Sequence, residues 1–231
     1  MNIKAIILAG GKGTRLKPYS VTIPKPLLPV GDKAILEIIL YKLKQQNITD
    51  ITICVNHMAE LIKAYFGNGE KIGVNISYSL EEKDLNTIAP LKLLKNLPDN
   101  FIVLNGDLLT NIDINTMFDI HCSNNSILTM GVYKRKIKID FGVIEIEKDI
   151  ISNFKEKPEL EYYVSMGIYA FNSKILNFIP DNTPFGFDHL MTKLLENKIK
   201  ITPYIYDGYW LDIGRPEDYE KANIDISKEK I

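Results

Sequence analysis

The 231-residue sequence predicts an α/β fold, a mostly parallel central sheet with helices on both faces. Three observations predict it. Short apolar, β-branched runs recur along the first hundred residues, each brief enough for one buried strand. Amphipathic stretches at helical spacing lie between them, and strands joined through helices pair in parallel. Two of the runs also stop abruptly at glycine-containing loops, Gly10-Gly11-Lys12-Gly13 and Asn105-Gly106-Asp107. In such sheets, ligands bind outside the carboxyl ends of strands.

The elements follow in order. Ile6-Ile7-Leu8-Ala9 is the first strand. Ile35 to Lys44 places apolar residues on one helical face, with Lys and Glu outside. Ile51 to Val55 is the second strand, and a helix from Met58 to Phe66 is stopped by Gly67-Asn68-Gly69. Val74 to Tyr78 alternates as a third strand, Leu91 to Leu97 reads as the end of another helix, and Phe101 to Leu104 is a fourth strand. Beyond Asn111 the rhythm changes. Ile127 to Tyr133, Phe141 to Ile146 and Tyr169 to Phe171 read as strands separated by turns, an antiparallel insertion on the same sheet. No Gly/Ser- or Pro-rich linker sets it apart, so a single domain over 1–231 is expected. Phe187 to Leu195 is an amphipathic helix, Ile199 to Ile205 a late strand, and Pro216 suits the first turn of a last helix.

Composition removes several classes of function. With 28 basic against 29 acidic residues and no long like-charge block, neither nucleic acid nor an anionic membrane is a suggested partner. Cys54 and Cys122 are too few and too separated for a disulfide framework or a zinc site, which points to a reducing cytoplasm. The apolar run before Gly10 is too short for a signal peptide or a membrane span. His57, His121 and His189 lack metal-ligand spacing and read as structural or solvated, and Trp210 reads as a core anchor. Self-association into a homo-oligomer is compatible with the sequence.

The first loop carries the chemistry. A strand followed by three glycines in four positions offers unblocked backbone N–H groups to phosphate oxygens. Arg15 adds a planar, permanently charged fork, and Lys25 is held between Pro24 and Pro26 with its backbone direction nearly fixed. Two cations thus flank a glycine turn. Two other glycine motifs fail on spacing. The dinucleotide fingerprint meets Leu16 where its third glycine belongs, and the P-loop meets Gly13 where Ser or Thr belongs. Asp107 and Asp212 each stand at a strand end after apolar residues, a placement that aims a carboxylate into a crevice.

The full string is more specific. Leu8-Ala9-Gly10-Gly11-x-Gly13-Thr14-Arg15-Leu16-x-Pro18, followed by Pro24-Lys25-Pro26-Leu27-Leu28-Pro29-Val30, resembles the signature of the sugar-1-phosphate nucleotidylyltransferases. The resemblance runs from Ile3 to about Asn223. It implies a three-layer α/β/α Rossmann-like nucleotidyltransferase fold with a small antiparallel sugar-binding insertion. Residues 1–110 would be mainly nucleotide-binding, 111–215 mainly sugar-phosphate-binding, and 216–231 a C-terminal helix. It also implies that a nucleoside triphosphate and a sugar 1-phosphate are joined to give an NDP-sugar for surface glycan synthesis. Mg²⁺ would be held by Asp107 and Asp212, Arg15 would steady the leaving phosphates, and Lys25 would contact the α-phosphate. Leu8, Ala9, Gly10, Gly11, Gly13, Thr14 and Gly106 would face the nucleotide. No hexapeptide-repeat tail follows, so kinship with the acyltransferase-fused relatives is not expected.

On the sugar side, Glu156-Lys157-Pro158 resembles the motif whose Glu contacts sugar hydroxyls and whose Lys contacts the sugar phosphate, and Gly142 resembles a glycine whose backbone meets the sugar. Val164-Ser165-Met166-Gly167-Ile168-Tyr169 resembles Asn-x-Gly-Ile-Tyr, with Ser165 replacing Asn, so the usual hexose is not assured. Glu81 through Ala89 resembles the base-recognition loop, with Asn86 and Ala89 at positions commonly Gly, and with Thr87 between them. A carboxylate accepts from the two adjacent N–H donors of guanine, whereas uracil or thymine suits an amide and cytosine meets Glu poorly. Glu81 therefore favours GTP. The alternatives are a thymidylyl-, uridylyl- or cytidylyltransferase with the same site, or a catalytically silent regulatory relative that binds sugar nucleotide.

Overall fold

In the computed structural model, which describes residues 3–228, the chain opens with β1 (Lys4–Leu8), the short strands β2 (Pro29–Val30) and β3 (Lys33–Ala34), and α1 (Ile35–Gln45). β4 (Asp50–Val55), α2 (Ala59–Phe66), β5 (Asn75–Leu80), β6 (Asn100–Asn105) and β7 (Leu108–Thr110) follow. Then come α3 (Ile114–Ser123), β8 (Leu128–Lys138), β9 (Val143–Glu147), β10 (Ile150–Lys155) and β11 (Glu159–Asn172). α4 (Phe187–Glu196), β12 (Ile201–Tyr206), β13 (Trp210–Asp212) and α5 (Pro216–Ser227) close it. Seven strands make one sheet in the order β12-β8-β11-β6-β1-β4-β5. β11 runs antiparallel to both of its neighbours, and the other pairs are parallel.

Strand alternation fills two cores, because successive side chains leave opposite faces. Ile7, Ile53, Ile102 and Leu104 pack with Leu36 and Leu40 of α1, Ile62 of α2 and Met117 of α3. Ile6, Cys54, Phe101 and Val103 face the other way, onto Leu190 and Leu194 of α4 and the 3₁₀ turns Ala89–Leu93 and Ser173–Phe178. A slip of one residue in β1 would exchange the two sets, so its register is fixed. His121 is fully buried and bonded through its ring nitrogens to Thr129 (2.9 Å) and Asn100 (3.2 Å), a structural role as expected.

Two regions differ from the sequence reading. The helix expected to end at Leu97 is only the 3₁₀ turn Ala89–Leu93, because Pro90 lies inside it and Asn96, at φ 57°, turns left-handed just before Pro98. β8 and β11 also run past the main sheet as a two-stranded arm. There Lys134 and Lys136 meet Glu161 at 2.6 and 3.3 Å, and β9–β10 forms a separate hairpin beside them. Among the described residues no helix is long and apolar enough to cross a membrane.

Candidate active site

The cleft forms where the loops after β1, β5 and β6 meet. Ala9 N–H donates to Cys54 O at 2.9 Å and Gly106 N–H to Leu8 O at 2.9 Å, so the loops after β1 and β6 are tied to neighbouring strands before they diverge. Gly13 has φ +61°, and a Cβ there would sit 3.1 Å from Ser20 Cβ and 3.2 Å from Lys25 Cβ. Only glycine lets the loop lie this close to Lys25. Leu16, fully buried, anchors the 3₁₀ turn Thr14–Leu16 that carries Arg15.

Lys25 opens a second 3₁₀ turn, and its ammonium pairs with Asp107 Oδ2. Asp107 reaches this point because Gly106 passes close to β1; a Cβ at Gly106 would lie 3.0 Å from Leu8 O. Asp212 ends β13, which pairs antiparallel with β7 so that Asp212 lies opposite Leu108, next in the chain after Asp107. Ile213 N–H donates to Asp107 O at 3.0 Å and locks the two loops together. Partial desolvation, and then the Asp107 carboxylate, push the Asp212 pKa above the usual carboxylate range, while Lys25 and Arg15 pull it down. The two aspartates, the lysine and the arginine therefore share one electrostatic neighbourhood.

A cleft of about 370 Å³ is lined by the loop from Leu8 to Leu16, by Lys25, by Glu81, Asn86 and Thr87, by Gly106 and Asp107, and by Asp212. Every residue expected at the nucleotide thus borders one cavity. The loop expected to meet the base is held by hydrogen bonds. Asn86 adopts φ 66°, its side chain accepts from Thr87 N–H at 2.7 Å, and Thr87 Oγ1 accepts from Phe187 N–H at the start of α4 at 3.0 Å. Asn thus supplies the left-handed turn in place of glycine. Glu81 is 7 % exposed and lies under Gly10, where a Cβ would sit 2.8 Å from Glu81 Oε1. Burial pushes its carboxyl up to about 7, against hydrogen bonds from Leu85 N–H and the Asn56 side chain.

The sugar-side residues stand elsewhere. None of Gly142, Glu156, Lys157, Ser165 or Gly167 lines this cavity. Gly142, Glu156 and Lys157 flank the β9–β10 hairpin and are exposed; a Cβ on Gly142 would lie 2.5 Å from the Phe154 ring and 3.3 Å from Glu156 Oε2. Ser165 and Gly167 occupy the register break in β11, next to the cleft. Gly167, at φ +73°, packs against Asn105, a cleft residue, and Ser165 Oγ pairs with Tyr169 Oη at 3.0 Å. The sequence reading missed Lys12, Asp84, Asn105 and Gly214, all at the cleft. Lys12 meets Asp84 at 3.6 Å across its mouth, and Gly214 lies beside the Arg15 guanidinium, which a Cβ would touch at an ordinary 3.8 Å. Lys12, caught between two loop glycines, and Asn105, beside Gly106 at a strand end, carried a local signal.

The carboxylate pair also fits a divalent cation. Asp107 Oδ1 is buried and accepts no hydrogen bond from the described residues, although Oδ2 is paired. Among the described residues no three His, Cys, Asp or Glu side chains converge, yet Mg²⁺ commonly takes one or two carboxylates and fills its remaining positions with water and phosphate.

The profile of a family described as nucleotidyl transferase matches residues 4–229. The chain belongs to that family. Within it, the chain is 34% identical to a D-glycero-α-D-manno-heptose 1-phosphate guanylyltransferase of Campylobacter jejuni, over 94% of this chain and 97% of that protein. It is 33% identical to a UTP–glucose-1-phosphate uridylyltransferase of Synechocystis, over 95% of this chain but only 62% of the relative. The crystal structure of HddC from Yersinia pseudotuberculosis superposes with a TM-score of 0.75 at 25% identity, covering 97% of this chain and 99% of that one. The nucleotidyl transferase fold is thus shared over nearly the whole chain.

Proposed function

We propose that this chain condenses GTP with a sugar 1-phosphate to give a GDP-sugar and pyrophosphate. The observation that carries the reading is the convergence of Arg15, Lys25, Asp107 and Asp212 on one cleft at the tips of β1 and β6. A phosphate oxygen of the sugar 1-phosphate attacks the α-phosphorus, a new P–O bond forms, and the bond to the β-phosphate breaks with its electron pair leaving on pyrophosphate. The attacking oxygen is already ionised, so no side-chain nucleophile is needed, and positioning and electrostatics do the catalysis.

The glycine loop binds the phosphates through backbone N–H groups, Arg15 steadies the departing β- and γ-phosphates, and Lys25 turns from Asp107 to the α-phosphate as charge builds there. Mg²⁺, held by Asp107 and Asp212, would supply charge neutralisation at the phosphates. Glu81 reads the base, with Asn86 and Thr87 shaping the loop around it. Glu156, Lys157, Gly142, Ser165 and Gly167 take the sugar phosphate.

Guanine is supported by the acceptor-only chemistry of an ionised Glu81 and by two relatives matched over nearly their whole length. Both are named heptose 1-phosphate guanylyltransferases, from Campylobacter jejuni and Aneurinibacillus thermoaerophilus. The HddC fold was also solved complexed with GMP-PN. The same relatives make a heptose 1-phosphate the first sugar to test. The Synechocystis uridylyltransferase favours UTP as the second reading. Pyrophosphate release across GTP, UTP, dTTP and CTP against hexose and heptose 1-phosphates decides between them. Release with GTP alone supports the proposal, release with another nucleotide alone replaces the base, and no release with any pair overturns it.

A further inference from the structure

Glu81 is an unusual choice for reading a base, because it is a buried acid with no cation of its own. It follows β5 directly, and its N–H donates to Val55 O at 2.9 Å, so its backbone is fixed by the sheet. Among the described residues no Lys or Arg forms an ion pair with it. Four groups surround the carboxyl. From β4 comes the Cys54 thiol and from the residue just after it the Asn56 amide, which donates to it; from its own loop come Leu85 N–H, also a donor, and the Asp84 carboxylate. The glycine loop brings the Gly10 backbone beside it, and its Lys12 meets Asp84 at 3.6 Å. Cys54 is itself pushed up to about 12 by burial and stays a neutral thiol.

A carboxyl group offers two hydrogen-bonding patterns, and a base can use either one. Ionised, it accepts at both oxygens and matches N1–H and N2–H of guanine. Uracil or thymine then finds one oxygen for its N3–H and the other opposed to a carbonyl. Protonated, the same group has one acceptor and one donor, the pattern of an amide, which takes N3–H and O4 of uracil or thymine. Guanine keeps a two-bond match in this form through N1–H and O6. Selection for guanine therefore exists only in the ionised form.

We infer that Glu81 reads the base in both protonation states, as a carboxylate selective for guanine and as a carboxylic acid that also admits uracil or thymine. The nucleotide preference then follows pH. The inference rests on the placement of Glu81 at the base under the proposed function. Burial and the Asp84 charge hold the change near neutrality, at about 7, where neither form is negligible.

Calorimetric binding of GTP and of UTP to the full chain tests this between about pH 5.5 and about pH 8.5, outside the range where either base ionises. The ratio of GTP to UTP affinity should rise about tenfold or more with pH, the scale of one mismatched buried polar contact. Glu81→Gln, an isosteric amide, should hold the ratio at its low-pH value throughout. Asn56→Ala removes a donor to the carboxylate and should move the midpoint to higher pH. A wild-type ratio independent of pH, with Glu81→Gln still changing it, overturns the inference and leaves the base site standing. A Glu81→Gln protein that keeps the wild-type ratio at every pH overturns both.

Discussion

Around the tips of β1 and β6, each candidate catalytic side chain stands on packed structure. Lys25 follows a proline and contacts the glycine loop, Asp107 follows the buried β6, and Asp212 is paired into β7. Gly142, Glu156 and Lys157 flank the β9–β10 hairpin, whose strands, like the outer halves of β8 and β11, bury almost nothing. Ile146, Ile151 and Phe154 share one hairpin face through the pairs Ile146–Ile151 and Phe154–Ile144, yet they are 70, 64 and 58 % exposed. The opposite face is held by Lys155 and Asn153 bonding Glu145. The molecule thus contains a region whose geometry is set by a core and a region set by its own ladders alone. Few buried contacts mean low local stability. The cleft is preorganised, whereas the arm has freedom to adjust, under the proposed function to the sugar phosphate.

The largest effect should come from the core itself. Phe171 of β11 is fully buried, stacked on Tyr169 at 5.6 Å and edge-on to Phe101 at 6.0 Å. Phe171→Ala should cost about 3–5 kcal/mol in denaturant unfolding. A loss below 1 kcal/mol would mean that the two regions do not differ in the way described.

Next come the charges that the core positions. Lys25→Ala and Asp107→Ala should each lower turnover by about a hundred- to a thousandfold, the usual loss for one preorganised contact, while circular dichroism stays native. A variant with near-normal turnover would detach the cleft from the chemistry. Gly167 lies on the border between the regions. Ala there must hold φ +73° with its Cβ 2.5 Å from Asn105 Nδ2, so Asn105 or the strand must shift. We expect a loss of about 1–3 kcal/mol in stability and a raised KM for the sugar phosphate, with the KM for GTP changed less.

The same contrast explains what could be read from the sequence. The glycine loop, Pro24-Lys25-Pro26 and the strand-end Asp107 are local signals, because glycine and proline fix the backbone where they stand. The alternating elements gave the sheet for the same reason. The pairing of Lys25 with Asp107 joins positions 82 residues apart, and no local pattern announces it. Lys12–Asp84 and Asn56–Glu81 are likewise products of parallel strands brought side by side. The arm escaped because Lys134 to Lys138 and Glu159 to Tyr163 show the charges of a solvated segment; they become strands only by neutralising one another across the ladder. The false helix up to Leu97 came from leucines that do face the core, on a turn that Asn96 and Pro98 end early.

The smallest expected effect is the one that isolates the arm. Ile146 stands opposite Ile151 in the hairpin and is 70 % exposed. Ile146→Ser should therefore change global unfolding by no more than about 0.5 kcal/mol, the ordinary range for a surface position. Turnover at saturating sugar phosphate should also persist, since neither the glycine loop nor the aspartates touch the hairpin. A loss of several kcal/mol would show that the hairpin face is covered when the protein is in solution, and that the arm belongs to a packed surface after all.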